Sequence, residues 1–245
     1  MAENSTKYFS IKNISKTWKS PCDFSVNFDA EIEKGKTLGI LGKSGSGKST
    51  VLRLIAGLIE NDKNPEKKPE IILDGKNITE EKPSSREIGM VFQNHSLFPH
   101  LTVLENVAYG LRFSKIRKNL SKKEAQEKAF EFLKIFEMQK FSDRYPETLS
   151  GGEAQRASLA RSLILKPKAI LFDEPFSSLD KPMSRKLISD IKLMQEKERF
   201  SAILVTHSID EAQKLCDTLA VLRKGKKIWN GKSEDFTESL LNTEI

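Results

Sequence analysis

The sequence predicts an α/β fold, a mainly parallel sheet covered on both faces by helices. Three observations carry that prediction. Short, mostly apolar runs at 37–41, 169–172 and 202–206 read as buried strands. Helical patterns lie among them, at 51–58, 122–136, 154–165 and 183–198. Segments 7–14 and 24–32 alternate, and 70–73 runs into the turn Asp74-Gly75, which suggests a small antiparallel sheet beside that core.

Taken in order, the chain begins with those two alternating strands, and Trp18 lies between them. The run 37–41 then meets Gly42-Lys43-Ser44-Gly45-Ser46-Gly47-Lys48-Ser49-Thr50, and an apolar helical pattern follows. Residues 61–69 are charged and broken by prolines, as a surface loop is. Residues 87–92 read as a further core strand ending at Gln93. From 94 to 165 the pattern becomes helical, which marks an insertion into the α/β core; Ala129, Phe132, Leu133 and Phe136 form its core-facing stripe. His95 and His100 have no companion ligands and read as surface residues. Leu149-Ser150-Gly151-Gly152-Glu153 opens the helix 154–165, with Ser150 as a natural N-cap and Lys166-Pro167 as the stop. Ser177-Ser178-Leu179-Asp180 precedes the helix 183–198, and the strand 202–206 ends at His207. Strands 218–222 and 227–229 finish the sheet, and 233–245 reads as a short amphipathic helix. No internal repeat or low-complexity tract interrupts this order.

The stretch 42–50 has the form G-x-x-x-x-G-K-S, set between a strand and a helix. Glycines let backbone N–H groups turn inward as an anion nest, and the helix N-terminus adds its positive dipole end. That chemistry cradles phosphate: Lys48 reaches the β- and γ-phosphates, and Ser49 offers a hydroxyl to Mg²⁺. Paired glycines at Gly151 and Gly152 weaken a helix start but expose N–H donors, which suits a second anion site. Asp173 and Glu174 close an apolar strand; alternation would send them opposite ways, Asp173 toward Mg²⁺ and Glu174 toward an attacking water. Gln93, Asp173 and His207 all follow strand carboxyl ends, where open α/β sheets bind ligands, so they should converge on one crevice. Local sequence leaves Trp18 open between a packing aromatic and a face on which adenine stacks.

The totals bound these readings. A chain of 245 residues is long enough for one large or two small domains with a substantial core. The net charge of +7 is scattered, densest at 112–123 and 223–227, and the second cluster reads as a solvated turn between strands. Two distant cysteines, Cys22 and Cys216, lack metal spacing and fit small core residues in a reduced compartment. No apolar run reaches the length of a membrane span, and the polar N-terminus has no signal-peptide pattern, so the expectation is a cytosolic chain.

With these motifs in place the chain resembles the ATP-binding subunit of an ATP-binding-cassette (ABC) transporter, of the bacterial importer type. The resemblance runs from about 8 to 231 and rests on residues 42–50 (Walker A), Gln93 (Q-loop), 149–153 (signature), 170–174 (Walker B), 178–180 (D-loop) and His207 (switch). It implies a P-loop NTPase (RecA-like) parallel-sheet core with an antiparallel β-subdomain and an inserted α-helical subdomain at about 94–165, all within 7–232, followed by a tail at 233–245. It implies ATP and Mg²⁺ as cofactors. Catalysis would fall to Glu174, His207 and Lys48. Nucleotide contacts would come from Trp18, Gly42, Ser44, Gly45, Ser46, Gly47, Lys48, Ser49, Thr50 and Gln93, and across a dimer interface from Ser150, Gly151, Gly152, Glu153 and Asp180. The metal would sit on Ser49, Gln93 and Asp173. Here Trp18 matches the adenine-stacking position. Implied partners are a membrane permease, a second copy packed head to tail, and an extracytoplasmic solute-binding protein, with the chain peripheral on the cytoplasmic face of the membrane.

Residues 90–107 and 210–212 carry the flavour of importers for oxyanions, ferric iron, thiamine or polyamines. Two departures stand out: the loop 61–69 is longer and more charged than usual, and no C-terminal regulatory domain is expected after Gly231. The rival reading is a soluble cassette ATPase acting on nucleic acid, but Ser49 to Leu149 shows no sustained heptads and there is one cassette, so no nucleic-acid partner is expected. A non-hydrolytic nucleotide sensor is disfavoured by the intact Asp173, Glu174 and His207.

Overall fold

The computed structural model describes residues 7–19, 23–62, 67–114 and 119–241. The polar start at 1–6, Cys22, the middle of the loop 61–69, part of the basic cluster 112–123 and the last four residues of the tail lie outside the described residues.

Two sheets organise the chain. One holds β1 (Phe9–Trp18), β2 (Phe24–Ile32), β4 (Glu70–Leu73) and β5 (Lys76–Asn77), all antiparallel in the order β2-β1-β4-β5. The other holds β3 (Thr37–Leu41), β6 (Ile88–Val91), β7 (Ala169–Asp173), β8 (Ser201–Val205), β9 (Thr218–Arg223) and β10 (Lys226–Lys232), in the order β10-β9-β3-β8-β7-β6. Its pairings are parallel except for the edge hairpin β9–β10. Every residue of β3, β7 and β8 is buried, as strands covered on both faces must be.

Strand alternation sorts the central side chains into two cores. Ala169, Leu171, Ile203, Val205 and Ile40 face α1 (Lys48–Ala56), which the four-stranded sheet covers from the other side. Ile170, Phe172, Ala202, Leu204 and Leu41 face the opposite core, shared by α2 (Val103–Phe113), α3 (Lys122–Ile135), α4 (Gly151–Leu163), α5 (Lys181–Glu198) and α6 (Ile209–Leu215). The α3 stripe behaves as its spacing implies, with Ala129, Leu133 and Phe136 buried and Phe132 packed against them.

Local chemistry sets the helix ends. Capping boxes start α2 (Thr102 with Glu105), α3 (Ser121 with Glu124) and α4 (Ser150 with Glu153), and Asp180 caps α5 through the Met183 amide at 2.8 Å. Helix α1 ends on Gly57 in the left-handed region, and the buried Arg86 guanidinium closes it. Arg86 donates to Ile55 O at 2.7 Å, Thr79 O at 2.6 Å and Glu81 O at 2.9 Å, placing a cation at a helix C-terminus.

Four expectations change. Strand β1 does not stop at 14: a bulge between Ile11 and Ile14, with Asn13 left-handed, lets it run on, so Trp18 is the last strand residue and pairs with Phe24. The turn at 224–225 is not simply solvated, because Gly225 is buried and bonded to two other segments. The described part of the tail forms 3₁₀ turns at Ser233–Asp235 and Glu238–Leu241 rather than an amphipathic helix. Phe236 is buried there against Trp229, and Leu240 and Leu241 pack partly buried on the same core. His95 is half-buried, for the reason given below.

Candidate functional site

The buried strand β3 delivers the chain into the loop 42–47, where close packing requires glycine. A Cβ on Gly42 would sit 2.3 Å from Leu222 O, and one on Gly47 2.6 Å from Val26 Cγ2. Gly45 and Gly47 are both left-handed, a backbone that glycine adopts without strain. Helix α1 starts on Gly47 with no side-chain cap, so its first-turn amides are left for an anion. The Ser46 hydroxyl is buried with no hydrogen-bond partner among the described residues. A backbone cradle, an uncapped helix start and an orphaned hydroxyl fit a phosphate chain.

Lys48 is buried at the base of this loop and donates to Gly42 O at 2.8 Å and Lys43 O at 3.1 Å. Burial pushes its pKa down, and Glu174 and Asp173 partly restore it. Ser49 donates to Asp173 Oδ1 at 2.9 Å. Asp173 is buried at the end of β7; desolvation raises its pKa, and the Ser49 hydrogen bond works against that rise. A hydroxyl and a carboxylate in contact are hard oxygen donors of the kind Mg²⁺ takes, so these two residues fit the ion. Among the described residues no cluster of three His, Cys, Asp or Glu side chains forms a metal site.

Glu174 leaves the strand. It is left-handed (φ 49°), and its amide donates to Val205 O at 2.9 Å. The divergence of Asp173 and Glu174 therefore comes from a backbone reversal, not from strand alternation. Glu174 Oε2 accepts from Gln93 Nε2 at 3.3 Å and lies 3.4 Å from His207 Nδ1. The expected convergence of Gln93, Asp173 and His207 is thus split: Gln93 and His207 meet on Glu174, while Asp173 pairs with Ser49. Gln93 is not joined to Ser49 or Asp173 by any hydrogen bond among the described residues.

Trp18 stands at the end of β1, partly exposed, with its ring 6.1 Å from that of Phe24. Phe24 in turn lies against Gly47, where an added Cβ would come within 3.2 Å of its ring. Phe24 therefore lies between Trp18 and the glycine loop, and it was not among the residues singled out from sequence. Its only signal there was alternation with Val26 and Phe28 along β2.

The start of α4 is elsewhere. Ser150 caps Glu153, and Gly151 and Gly152 lie against Ser178 and Leu179; Ser178 donates to Gly151 O at 3.3 Å. The Asp180 carboxylate is engaged in capping α5. Within one chain these residues form a surface of their own, with Ser150, Gly151 and Asp180 exposed.

The segment after Gln93 is clipped to the middle of α4. His95 Nδ1 is 2.5 Å from Oε1 of the buried Gln155, and Arg161 donates to Ser96 O while its guanidinium stacks 4.4 Å from the Phe98 ring centre. Gln155 is what draws His95 inward. Phe98, Tyr109 and Phe113 then form an aromatic row along a cavity of about 380 Å³.

Comparison with known proteins places this arrangement. A family model described as ABC transporter matches residues 26–177. A probable sulfate/thiosulfate import ATP-binding protein of Chlorella vulgaris is 42% identical over 96% of this chain and 95% of its own length. An Fe(3+) ions import ATP-binding protein of Vibrio cholerae is 42% identical over 92% of this chain, which spans 62% of that relative's length. Among solved structures, the dimeric post-hydrolysis state of the ATP-binding cassette MJ0796 with ADP and Pi superposes with a TM-score of 0.83 at 32% identity, covering 93% of this chain and 100% of that one.

Proposed function

The chain belongs to the ABC transporter family, as an ATP-binding ATPase subunit of the importer type, and from that premise we propose that two copies close head to tail on ATP and so move a membrane permease that carries solute inward. ATP binding supplies the free energy of closure, and in-line attack of water on the γ-phosphate releases it. The loop 42–50 holds the phosphates, with Lys48 exchanging the carbonyls of Gly42 and Lys43 for phosphate oxygens. Ser49 and Asp173, with Gln93 near the same ion, would hold Mg²⁺, which when bound neutralises phosphate charge. Glu174 polarises the attacking water and His207 contacts the γ-phosphate. Trp18, with Phe24 behind it, stacks the adenine. Ser150, Gly151, Gly152 and Glu153 bind phosphate held by the other copy, and Asp180 crosses the interface.

The observation that carries this reading is the meeting of Gln93 and His207 on one oxygen of Glu174, beside the Ser49–Asp173 pair. The exposed face at Ser150, Gly151 and Asp180 supports the head-to-tail pairing, since it lies open to a second copy.

The solute belongs to the class of oxyanions, ferric iron, thiamine or polyamines; relatives named for sulfate/thiosulfate and Fe(3+) import support that range. The permease seats on the aromatic cavity beside the Gln93 loop, and an extracytoplasmic binding protein delivers the solute to it. The chain acts from the cytoplasmic face as a peripheral subunit; no helix among the described residues is long and apolar enough to cross a membrane.

The test is Glu174→Gln with ATP and Mg²⁺. The expected result is an ATP-bound dimer by light scattering and turnover reduced by at least about 100-fold. Undiminished hydrolysis removes Glu174 from its role. A variant that stays monomeric even with its copurified permease ends the head-to-tail proposal. ATPase stimulation by DNA or RNA with a steep salt dependence would turn the reading toward nucleic acid.

A further inference from the structure

We propose that Glu211 is the positioning residue of His207, fixing the backbone on both sides of the imidazole so that the ring meets Glu174. The proposal rests on the role given above to His207.

The His207 side chain is 68% exposed and touches Glu174 by a single 3.4 Å approach. A ring with so little packing takes its position from its backbone. That backbone has left β8 at Val205, and the Thr206 amide reaches Ile40 O only at 3.4 Å. What holds the segment is a closed ring of side-chain bonds. The buried Thr206 donates its hydroxyl to Glu211 Oε2 at 2.6 Å. The same Thr206 oxygen accepts the Ser208 amide at 3.0 Å, and Ser208 Oγ accepts the Glu211 amide at 3.3 Å. The neighbours of His207 on either side are thereby tied to Glu211 on the first turn of α6, Thr206 to its carboxylate and Ser208 to its amide and, through the Thr206 hydroxyl, to that carboxylate.

An ordinary helix start does not account for this. Ser208-x-x-Glu211 has the spacing of a capping box, in which the glutamate would accept the amide of the capping serine. Here the Ser208 amide goes to Thr206 instead, and the Glu211 carboxylate reaches past it to the Thr206 hydroxyl. Glu211 also lies with Glu174 and His207 in the wall of one cavity of about 480 Å³. Burial there pushes its carboxyl pKa up and the Thr206 hydrogen bond opposes the rise, so the acid is held in a place where it needs that partner.

The experiment uses Glu211→Ala, Glu211→Gln, Thr206→Val and Thr206→Ser in single-turnover ATP hydrolysis, with ATP affinity measured separately. Glu211→Ala and Thr206→Val should each slow hydrolysis roughly tenfold or more, with ATP affinity kept within about threefold. Glu211→Gln and Thr206→Ser, which keep the acceptor and the hydroxyl, should stay within about threefold of the unaltered chain. In a His207→Ala background, Glu211→Ala should cost less than about twofold more. The chain has three histidines, so His207 ring resonances can be assigned by the His207→Ala spectrum. In Glu211→Ala they should shift or broaden, while those of His95 and His100 stay in place. An unmoved His207 resonance with an unchanged rate overturns the proposal, as does an equal loss in the presence and absence of His207. If His207→Ala itself hydrolyses ATP at full rate, the role given to His207 fails; the ring spectrum still decides whether Glu211 holds it. Should Glu211→Ala not fold, Thr206→Val carries both measurements.

Discussion

Gly225→Ala should disable the phosphate loop from a distance of about 180 residues in sequence. Gly225 sits at the tip of the β9–β10 hairpin with φ +76°. Its amide donates to Ser46 O at 2.9 Å, and its carbonyl accepts the Asn27 amide at 2.9 Å. An added Cβ would lie 1.7 Å from Ser25 O, so the hairpin must withdraw from β2. Alanine in the left-handed region costs about 1 kcal/mol. Losing the two backbone hydrogen bonds of the buried Gly225 adds roughly 1–3 kcal/mol for each. The total is on the order of 3–7 kcal/mol, a large share of a domain's stability. Gly75→Ala is the matched control, since Gly75 has the same φ of +76° with nothing within 4 Å of its Cβ. It should lose only about 1 kcal/mol. Urea denaturation of both variants isolates the brace as their difference, and nucleotide titration of the folded fraction of Gly225→Ala should show affinity weakened by about tenfold or more. Equal losses for the two variants, with nucleotide affinity intact, would refute the reasoning.

Three further outcomes are expected. Ser46→Ala removes an unpartnered buried hydroxyl, so urea stability should hold or rise slightly while nucleotide affinity falls by up to about tenfold. Arg86→Met should cost at least about 3 kcal/mol in chemical denaturation, because it deletes the charge-assisted bonds that close α1, and Arg86→Lys should not restore it, since one ammonium cannot span the three carbonyls. The Ser150 amide holds the Glu153 carboxyl below its ordinary range. A folded-state pKa that is lowered gives stability present above the unfolded carboxylate pKa and lost as pH falls through the folded one. Glu153→Gln should therefore be less stable than the unaltered chain near neutral pH and converge with it in acid, as followed by thermal melts.

Residues that act through their immediate neighbours were legible in the chain. The loop 42–50 declared itself because a tight anion nest needs glycines at fixed spacing between a strand and a helix. Ser150 was readable as a cap because capping is settled within four residues. Apolar runs located β3, β7 and β8 because strands buried on both faces carry no polar side of their own. Glu174 shows where that logic ends: its carboxylate was correctly separated from Asp173, but a left-handed backbone turns it, not the strand period. His95 was misread for a similar reason, since its partner Gln155 is 60 residues away.

By itself, the sequence determined the two kinds of sheet, the helical insertion, the glycine loop 42–50 and the identity of most polar groups near it, because each depends on periodicity or on a short motif. Only the tertiary structure decided that Gly225 braces Ser46, that Arg86 closes α1, that Phe24 backs Trp18, and that Gln93 and His207 meet on Glu174. Those contacts join segments far apart in the chain, and whether two such segments touch is set by how sheets and helices pack, which no local pattern of residues encodes.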